Sequence, residues 1–109
     1  MHSLDAGESS VFKQPVLVYS LDDLIATFSL PAPTLVKLDV DGSEAAVLAG
    51  ARQTLRRSEL RSLVVEIETA TEDVVVSELE SAGFVLSSRI DHRFGEPLPG
   101  IWYGIFDRS

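Results

Sequence analysis

The spacing of apolar residues alternates along this chain between a strand-like and a helix-like pattern. Short runs rich in branched residues predict buried strands, whereas apolar residues three or four positions apart predict helices with one face against a sheet. From residue 16 onwards the patterns predict the order strand, helix, strand, helix, strand, helix, strand, strand. The predicted strands are 16–19, 35–40, 62–68, 84–90 and 101–106. The three predicted helices follow the candidate caps Ser20, Asp41 and Thr69, and their apolar faces run from Leu21 to Phe28, from Val47 to Leu55 and from Val75 to Ala82.

This alternation predicts an α/β fold with a mainly parallel sheet, flanking helices and right-handed crossovers. The last two predicted strands are joined by the turn-rich segment 91–100 without a helix, so we expect them to pair as an antiparallel hairpin. Residues 1–15 are polar and aperiodic. They predict a loose lead-in to a single domain that spans residues 16–109.

Residues at the predicted helix ends have types that favour helix starts and stops. The pairs spaced as capping boxes are Ser20 with Asp23, Asp41 with Glu44, and Thr69 with Glu72, and the residue placed as a stop for the third helix is Gly83. Gly50 lies inside the second predicted helix, where glycine costs about 1 kcal/mol relative to alanine. We expect a close approach to a neighbouring strand at that position.

Composition narrows the class of protein. The chain has 109 residues, a net charge of −8 and no cysteine, with a pI near 4.5 and a mean hydropathy of +0.16. This charge disfavours nucleic acid and anionic membrane surfaces as partners, and disulfides and thiolate metal sites are excluded. The start of the sequence lacks signal-peptide features, and no apolar run approaches the roughly 18 residues of a membrane helix. A soluble, cytoplasmic single-domain protein is expected.

Acidic residues gather where the central predicted strand ends. Asp39, Asp41 and Glu44 lie in the segment DVDGSE, which connects that strand to the next helix. In open α/β sheets, ligands bind at the carboxyl ends of strands, so these three carboxylates are the candidate catalytic groups. They could act as a general base, bind a hard cation or hold substrate hydroxyls. The alternative is that Asp41 and Glu44 only cap the helix.

Further candidates follow from strand periodicity. Glu66 and Glu68 share one face of the next predicted strand, near its carboxyl end, and both are candidate substrate-binding residues. If this strand lies beside the central one, we expect Glu66 or Glu68 to approach the acidic turn. His92, in the loop before the last strand, is a candidate base or substrate contact at the mouth of the crevice. Trp102 and Tyr103 are expected to pack the last strand rather than to stack on a ligand.

The acidic segment fits one known pattern only loosely. Haloacid-dehalogenase phosphatases use a strand that ends in D-x-D-G-[T/S], and Asp39 to Ser43 match it. That family also needs a later lysine and a downstream acidic pair that holds Mg²⁺. After Arg61 the sequence has no lysine, and the adjacent acidic pair Glu72-Asp73 falls at a helix start. The phosphatase is therefore the less favoured alternative, and no metal site is expected.

A second pattern fits better. The sequence contains Leu21-Asp22-Asp23-Leu24, then Lys37-Leu38-Asp39-Val40-Asp41-Gly42 with Glu44, then Val47-Leu48 and Gly50-Ala51. These residues, in this order, resemble the C-terminal half of FkbM-family methyltransferases, in which a strand of the type K-[IL]-D-[VI]-[ED]-G-x-E is followed by V-L-x-G-A. The resemblance covers roughly residues 16–90. Asp41 stands where the family more often has glutamate.

The resemblance implies the class I, Rossmann-like methyltransferase fold and S-adenosylmethionine as cofactor, with methyl transfer to a hydroxyl of a sugar or another small metabolite. It also implies that this sequence forms the side of the active-site crevice that lies at the family's fourth strand. The sequence contains no G-x-G turn after a strand, so the residues that hold the cofactor are unknown and binding by this chain alone is doubtful. A complementing N-terminal half or a second copy of the chain would be the partner. The non-enzymatic alternative is an interaction domain that self-associates through an exposed strand edge.

Overall fold

A computed structural model describes residues 18–40 and 42–109. The predicted lead-in and residues 16 and 17 of the first predicted strand lie outside the described residues, and residues 18 and 19 have no regular structure. The elements are α1 (Leu21–Phe28), β1 (Leu35–Leu38), α2 (Glu44–Ala49), α3 (Arg52–Leu55), β2 (Ser62–Glu68), a 3-10 turn (Thr69–Thr71), α4 (Glu72–Ser81), β3 (Phe84–Ile90), β4 (His92–Arg93), β5 (Glu96–Pro97) and β6 (Ile101–Arg108). Among the described residues, no helix has the length and apolar character needed to cross a membrane.

The main sheet has the strand order β1-β2-β6-β3. β1 and β2 are parallel, whereas β6 is antiparallel to both of its neighbours, β2 and β3. The antiparallel pairing predicted for the last two long strands is confirmed, but the prediction of a mainly parallel sheet is wrong. β1, β2 and β3 point the same way, and β6 returns between β2 and β3, so two of the three described pairings become antiparallel.

One face of this sheet carries the hydrophobic core. Its strand residues alternate with outward-facing ones, as a sheet covered on one side requires. The buried apolar residues from the strands are Leu38, Leu63, Val65, Ile67, Phe84, Trp102 and Phe106, and those from the helices and their ends are Leu48, Ala51, Leu55, Leu60, Val75, Leu79 and Ala82. The other face holds Lys37, Val64, Glu66 and Tyr103, and it is the face on which the candidate site lies.

The second predicted helix is divided into α2 and α3 near Gly50. A Cβ added at Gly50 would lie 2.8 Å from Cβ of Ser20. The close approach expected at this glycine exists, but its partner is the residue that precedes α1 and not a strand. The amide of Asp22 also donates to the carbonyl of Gly50 at 3.0 Å, so α1 is tied to the break between the two helices.

Helix starts follow the predicted caps only at α1. The hydroxyl of Ser20 accepts from the amide of Asp23 at 3.1 Å, as predicted. Ser43 and Thr71, rather than Asp41 and Thr69, precede α2 and α4, and neither makes a side-chain cap. Gly83 follows α4 with a positive φ of 98°, which confirms its role as the stop.

Two charged side chains fix helix ends from a distance. The carboxylate of Asp22 accepts from the amides of Gln53 and Thr54, both at 2.9 Å, and from the Thr54 hydroxyl at 2.6 Å, so it caps α3 from another helix. The guanidinium of Arg108, at the end of β6, stacks over the ring of Phe84 at 4.4 Å. It donates to four carbonyls: Leu55 at the end of α3, Arg57 and Leu60 in the segment between α3 and β2, and Ala82 directly after α4.

Candidate functional site

The turn after β1 places its acidic residues in different surroundings. Asp39 directly follows β1 and is exposed, whereas Glu44 begins α2 and is only 1% exposed. Asp41 lies outside the described residues. Only Asp39 of the described carboxylates in this turn is therefore open to a ligand.

The carboxylate of Glu44 folds back onto the turn that precedes it. It accepts from the amide of Gly42 at 3.1 and 3.2 Å and from the amide of Val40 at 3.4 Å. Gly42 has a positive φ of 90°, a conformation that side chains other than glycine rarely adopt. The two backbone donors would otherwise be left unpaired beside a buried helix start. Glu44 therefore holds the shape of the turn from inside.

Glu68 covers the turn from the neighbouring strand. A Cβ added at Gly42 would lie 2.6 Å from Oε2 of Glu68, so the glycine leaves room for this carboxylate. Of the two glutamates on β2, Glu68 therefore lies against the acidic turn. Any larger residue at position 42 would meet both a strained φ and a carboxylate.

Glu66 and Tyr103 form a polar pair on the open face of the sheet. They lie opposite each other in β2 and β6, and the Tyr103 hydroxyl donates to Oε2 of Glu66 at 3.1 Å. Glu66 is 7% exposed. Burial, the hydrogen bond to Glu66 and the charges of Glu66 and Asp39 raise the pKa of Tyr103, whereas Arg93 opposes this effect. Tyr103 therefore stays neutral at physiological pH.

A cleft of about 260 Å³ opens between this pair and the β4–β5 hairpin. Its lining consists of Lys37, Asp39, Val64, Ile90, His92, Arg93, Leu98 and Tyr103. Nδ1 of His92 lies 2.8 Å from Oδ1 of Asp91, a partner that fixes the orientation of the imidazole. Two predicted site residues, Asp39 and His92, thus line one cleft, with Glu66 reached through Tyr103. Among the described residues, no three acidic or histidine side chains are grouped as a metal ion requires.

Three polar residues of the cleft were not among the predicted site residues. Tyr103 was expected only to pack the last strand, and Lys37 and Arg93 carried no prediction of their own. Strand alternation places Lys37 on the face of Asp39, and this signal was available from the sequence. The positions of Tyr103 and Arg93 depend on the insertion of β6 beside β2 and on the fold of the hairpin, which no local pattern specifies.

The described residues do not by themselves form a site for S-adenosylmethionine. A cofactor cradle of this kind offers free backbone N–H groups in a glycine-rich turn after a strand. Gly42 is the described glycine that follows a strand of the parallel pair, and its amide is already taken by Glu44. The remaining positive-φ glycines of the described chain, Gly83, Gly95 and Gly100, lie after α4 or in the segment before β6.

Comparisons with known proteins assign the family. None of the curated proteins matches the sequence. A solved structure, "crystal structure of M1.HpyAVI-SAM complex", is similar with a TM-score of 0.48 and 13% sequence identity, over 83% of this chain and 54% of that one. The chain thus spans about half the length of that structure. The model of the methyltransferase FkbM domain matches residues 2–86, which is more than half of the sequence. This chain therefore belongs to the methyltransferase FkbM domain family.

Proposed function

We propose that this chain forms the acceptor side of an S-adenosylmethionine-dependent methyltransferase that modifies a hydroxyl group of a sugar or another small metabolite. The observation that carries the proposal is the cleft beside β1, in which the exposed carboxylate of Asp39 and the hydroxyl of Tyr103 share one lining. The family match supports methyl transfer in general. The small, partly apolar cleft with a few polar groups supports a small-molecule acceptor.

In this proposal Asp39 is the general base. An exposed carboxylate at a strand end can accept the proton of an acceptor hydroxyl as the oxygen attacks the methyl group. The proton of Tyr103 is committed to Glu66, so its oxygen is left to accept a hydrogen bond from the acceptor. His92 lies on the opposite side of the cleft as a further contact to the acceptor. Much of the rate would come from holding the hydroxyl in line with the methyl donor.

The remaining acidic residues take different roles. Glu44 acts as a positioning residue because its carboxylate is buried and holds the turn that carries Asp39. Glu68 lies over Gly42 and shapes the same turn from β2. Asp41 stays a predicted catalytic residue. The methyl group comes from the cofactor, and in this proposal its glycine-rich cradle is formed by polypeptide outside these 109 residues.

The test is transfer of tritium from S-adenosyl-[methyl-³H]methionine to pooled monosaccharides, sugar acids and sugar phosphates. The assay is run with the chain alone and with the chain joined to the segment encoded directly upstream. We expect transfer in the joined protein and a loss of about 100-fold or more in Asp39→Asn, the usual scale for a general base. Asp23→Asn, which changes an exposed carboxylate on α1, is the matched control and should keep full activity. Absence of transfer in every arm would refute the function.

Binding of the cofactor is measured separately by calorimetry. The chain alone should show no tight, stoichiometric binding of S-adenosylmethionine, because no described glycine turn offers free amides. Tight binding by the 109 residues would overturn the assignment of the cradle to another segment.

One observation favours a second, non-enzymatic function. Within the described residues, β1 pairs with β2 on one side only, and Leu35 on this strand is 61% exposed. Unpaired backbone groups on an apolar edge are a template for association with a second copy. Sedimentation at several concentrations distinguishes this function, since a strict monomer at all concentrations contradicts it.

A further inference from the structure

The lining of the cleft contains cations although the chain as a whole is acidic. The chain as a whole has a net charge of −8. The cleft lining, in contrast, brings together two cations, Lys37 and Arg93, beside the carboxylate of Asp39. The carboxylate of Glu66 lies next to this lining, where it is 7% exposed and accepts the hydroxyl of Tyr103. Two cations on one small cleft can bind an anion that the net charge of the chain repels.

These two cations have no carboxylate partner among the described residues. Two other arginines of the described chain are paired with carboxylates, Arg57 with Glu59 at 3.1 Å and Arg89 with Asp91 at 3.6 Å. Asp91 also contacts His92, so the hairpin's nearby carboxylate is already engaged. Arg93 comes from the hairpin, where its guanidinium lies 5.9 Å from the centre of the Phe94 ring, and Lys37 comes from β1, so two different elements supply the cations of the cleft.

The position of the cations relative to Asp39 sets the shape of that ligand. Lys37 and Asp39 are two residues apart, on the same face of β1 and its extension, so their side chains stand about 7 Å apart. Arg93 acts on Tyr103 from the hairpin side, against the influence of Asp39. A ligand that contacts both the cations and the carboxylate of Asp39 therefore carries an anionic group a few bonds away from a hydroxyl.

The volume of the cleft limits the ligand to a small molecule. About 260 Å³ is just below the usual range of 300–1,000 Å³ for small-molecule sites. Val64, Ile90 and Leu98 supply apolar walls that can contact the carbon face of a ring. A single sugar ring or a short hydroxy acid suits these dimensions.

We propose that the acceptor is a hydroxylated small anion, a sugar acid or a sugar phosphate, whose anionic group is held by Lys37 and Arg93 while its hydroxyl faces Asp39. This inference rests on the proposed function, because it names the substrate class of the same cleft. The carboxylate and phosphate forms share the chemistry that the two cations recognise, since arginine and lysine bind both groups by charge-assisted hydrogen bonds.

The experiment is an NMR titration of the 109-residue chain with D-glucuronate, D-glucose 6-phosphate and D-glucose. The three probes share the sugar ring and differ in the group at carbon 6, so D-glucose is the uncharged control. We expect saturable shifts of amides around Lys37, Arg93 and Tyr103 with at least one anionic probe, at an affinity about tenfold above that for glucose. The stronger of the two anionic probes identifies carboxylate or phosphate as the preferred group.

Variants assign the effect to the cleft. Lys37→Gln and Arg93→Gln should each weaken binding of the anionic probe about tenfold and leave the binding of glucose unchanged. Arg61→Gln removes the same charge from an exposed position just before β2 and should have no effect. Equal binding of glucose and the anionic probes, equal loss in all three variants, or no saturable shift at the cleft would each overturn the inference.

The two proposals fail in different ways. Binding of the anionic probe without methyl transfer in the joined protein refutes the methyltransferase function and keeps the anion site. Transfer to a neutral sugar with no selectivity for anionic acceptors refutes the anion site and keeps the methyltransferase.

Discussion

Replacement of Glu44 by alanine tests whether this carboxylate holds the turn that carries Asp39. The side chain is 1% exposed and accepts hydrogen bonds from the amides of Val40 and Gly42. Alanine cannot replace these bonds, and two backbone donors are left without a partner at a helix start. The amide of Val40 belongs to a half-buried residue, whereas Gly42 is exposed and water can reach its amide. One donor left unsatisfied costs about 1–3 kcal/mol, so the free energy of unfolding should fall by about this amount.

This loss is large for a chain of this size. Domains of about 100 residues unfold with about 5–15 kcal/mol, and each kcal/mol shifts the melting temperature by about 4–8 °C. We therefore expect Glu44→Ala to melt at least about 4 °C below the wild type, the smallest shift that these values allow. Glu44→Gln keeps one acceptor oxygen and should lie between the two. The measurement is thermal and urea unfolding followed by circular dichroism.

The control is Glu80→Ala, which removes an exposed glutamate from the last turns of α4 and should leave the unfolding midpoint unchanged. An unfolding midpoint for Glu44→Ala within error of the wild type would refute the turn-holding role. That result would leave the prediction of Glu44 as a catalytic group as the explanation for this carboxylate.

Three further changes test the tertiary contacts. Asp22→Ala should cost about 1–2 kcal/mol through the lost cap on α3. Burial raises the pKa of Asp22, but the hydrogen bonds from Thr54 and Gln53 outweigh this effect and lower the pKa below its ordinary value. The stability difference between the variant and the wild type should therefore be full above pH 4 and shrink as the pH falls below it, and a pH-independent difference contradicts this reasoning. Gly104→Ala places a Cβ 2.6 Å from Cε1 of Phe106 in the core and should cost about 1–3 kcal/mol in urea unfolding, and wild-type stability would contradict the close packing. Arg108→Lys loses most of the four carbonyl contacts and should cost about 2–4 kcal/mol, and an unchanged midpoint would show that these contacts add nothing.

Local patterns were sufficient for most elements of the described chain. The apolar runs located β2 and β3 with the observed bounds, and the helical spacing located α1. It also identified the apolar face of α4, although this helix begins at Glu72 and not directly after the predicted cap Thr69. The strand that ends in KLDVDGSE was recognised from a fixed set of residues, and the family match confirms that recognition. These features depend on neighbours in the sequence, which a pattern of period two or of three to four residues captures directly.

The capping predictions show where local reasoning fails. Ser20 caps α1 because its partner is three residues away, and the spacing alone specifies that bond. Glu44 was spaced as a capping partner of Asp41, which lies outside the described residues, and its carboxylate also bonds the amides of Val40 and Gly42 on either side of that position. Thr69 donates to the carbonyl of Gly100, a residue far along the chain. A side chain takes the best partner in the folded structure, which is not always the one at the expected spacing.

The sequence by itself determined the order of the long elements from α1 onwards, the acidic turn after β1 and the methyltransferase family. Only the tertiary structure decided that β6 lies between β2 and β3, which makes the sheet mixed and places Tyr103 opposite Glu66. It also brought Arg93 and His92 from the hairpin to the cleft that contains Lys37 and Asp39. The physical reason is that strand order and hairpin position are set by contacts between residues distant in the chain, which leave no periodic signal in any local segment.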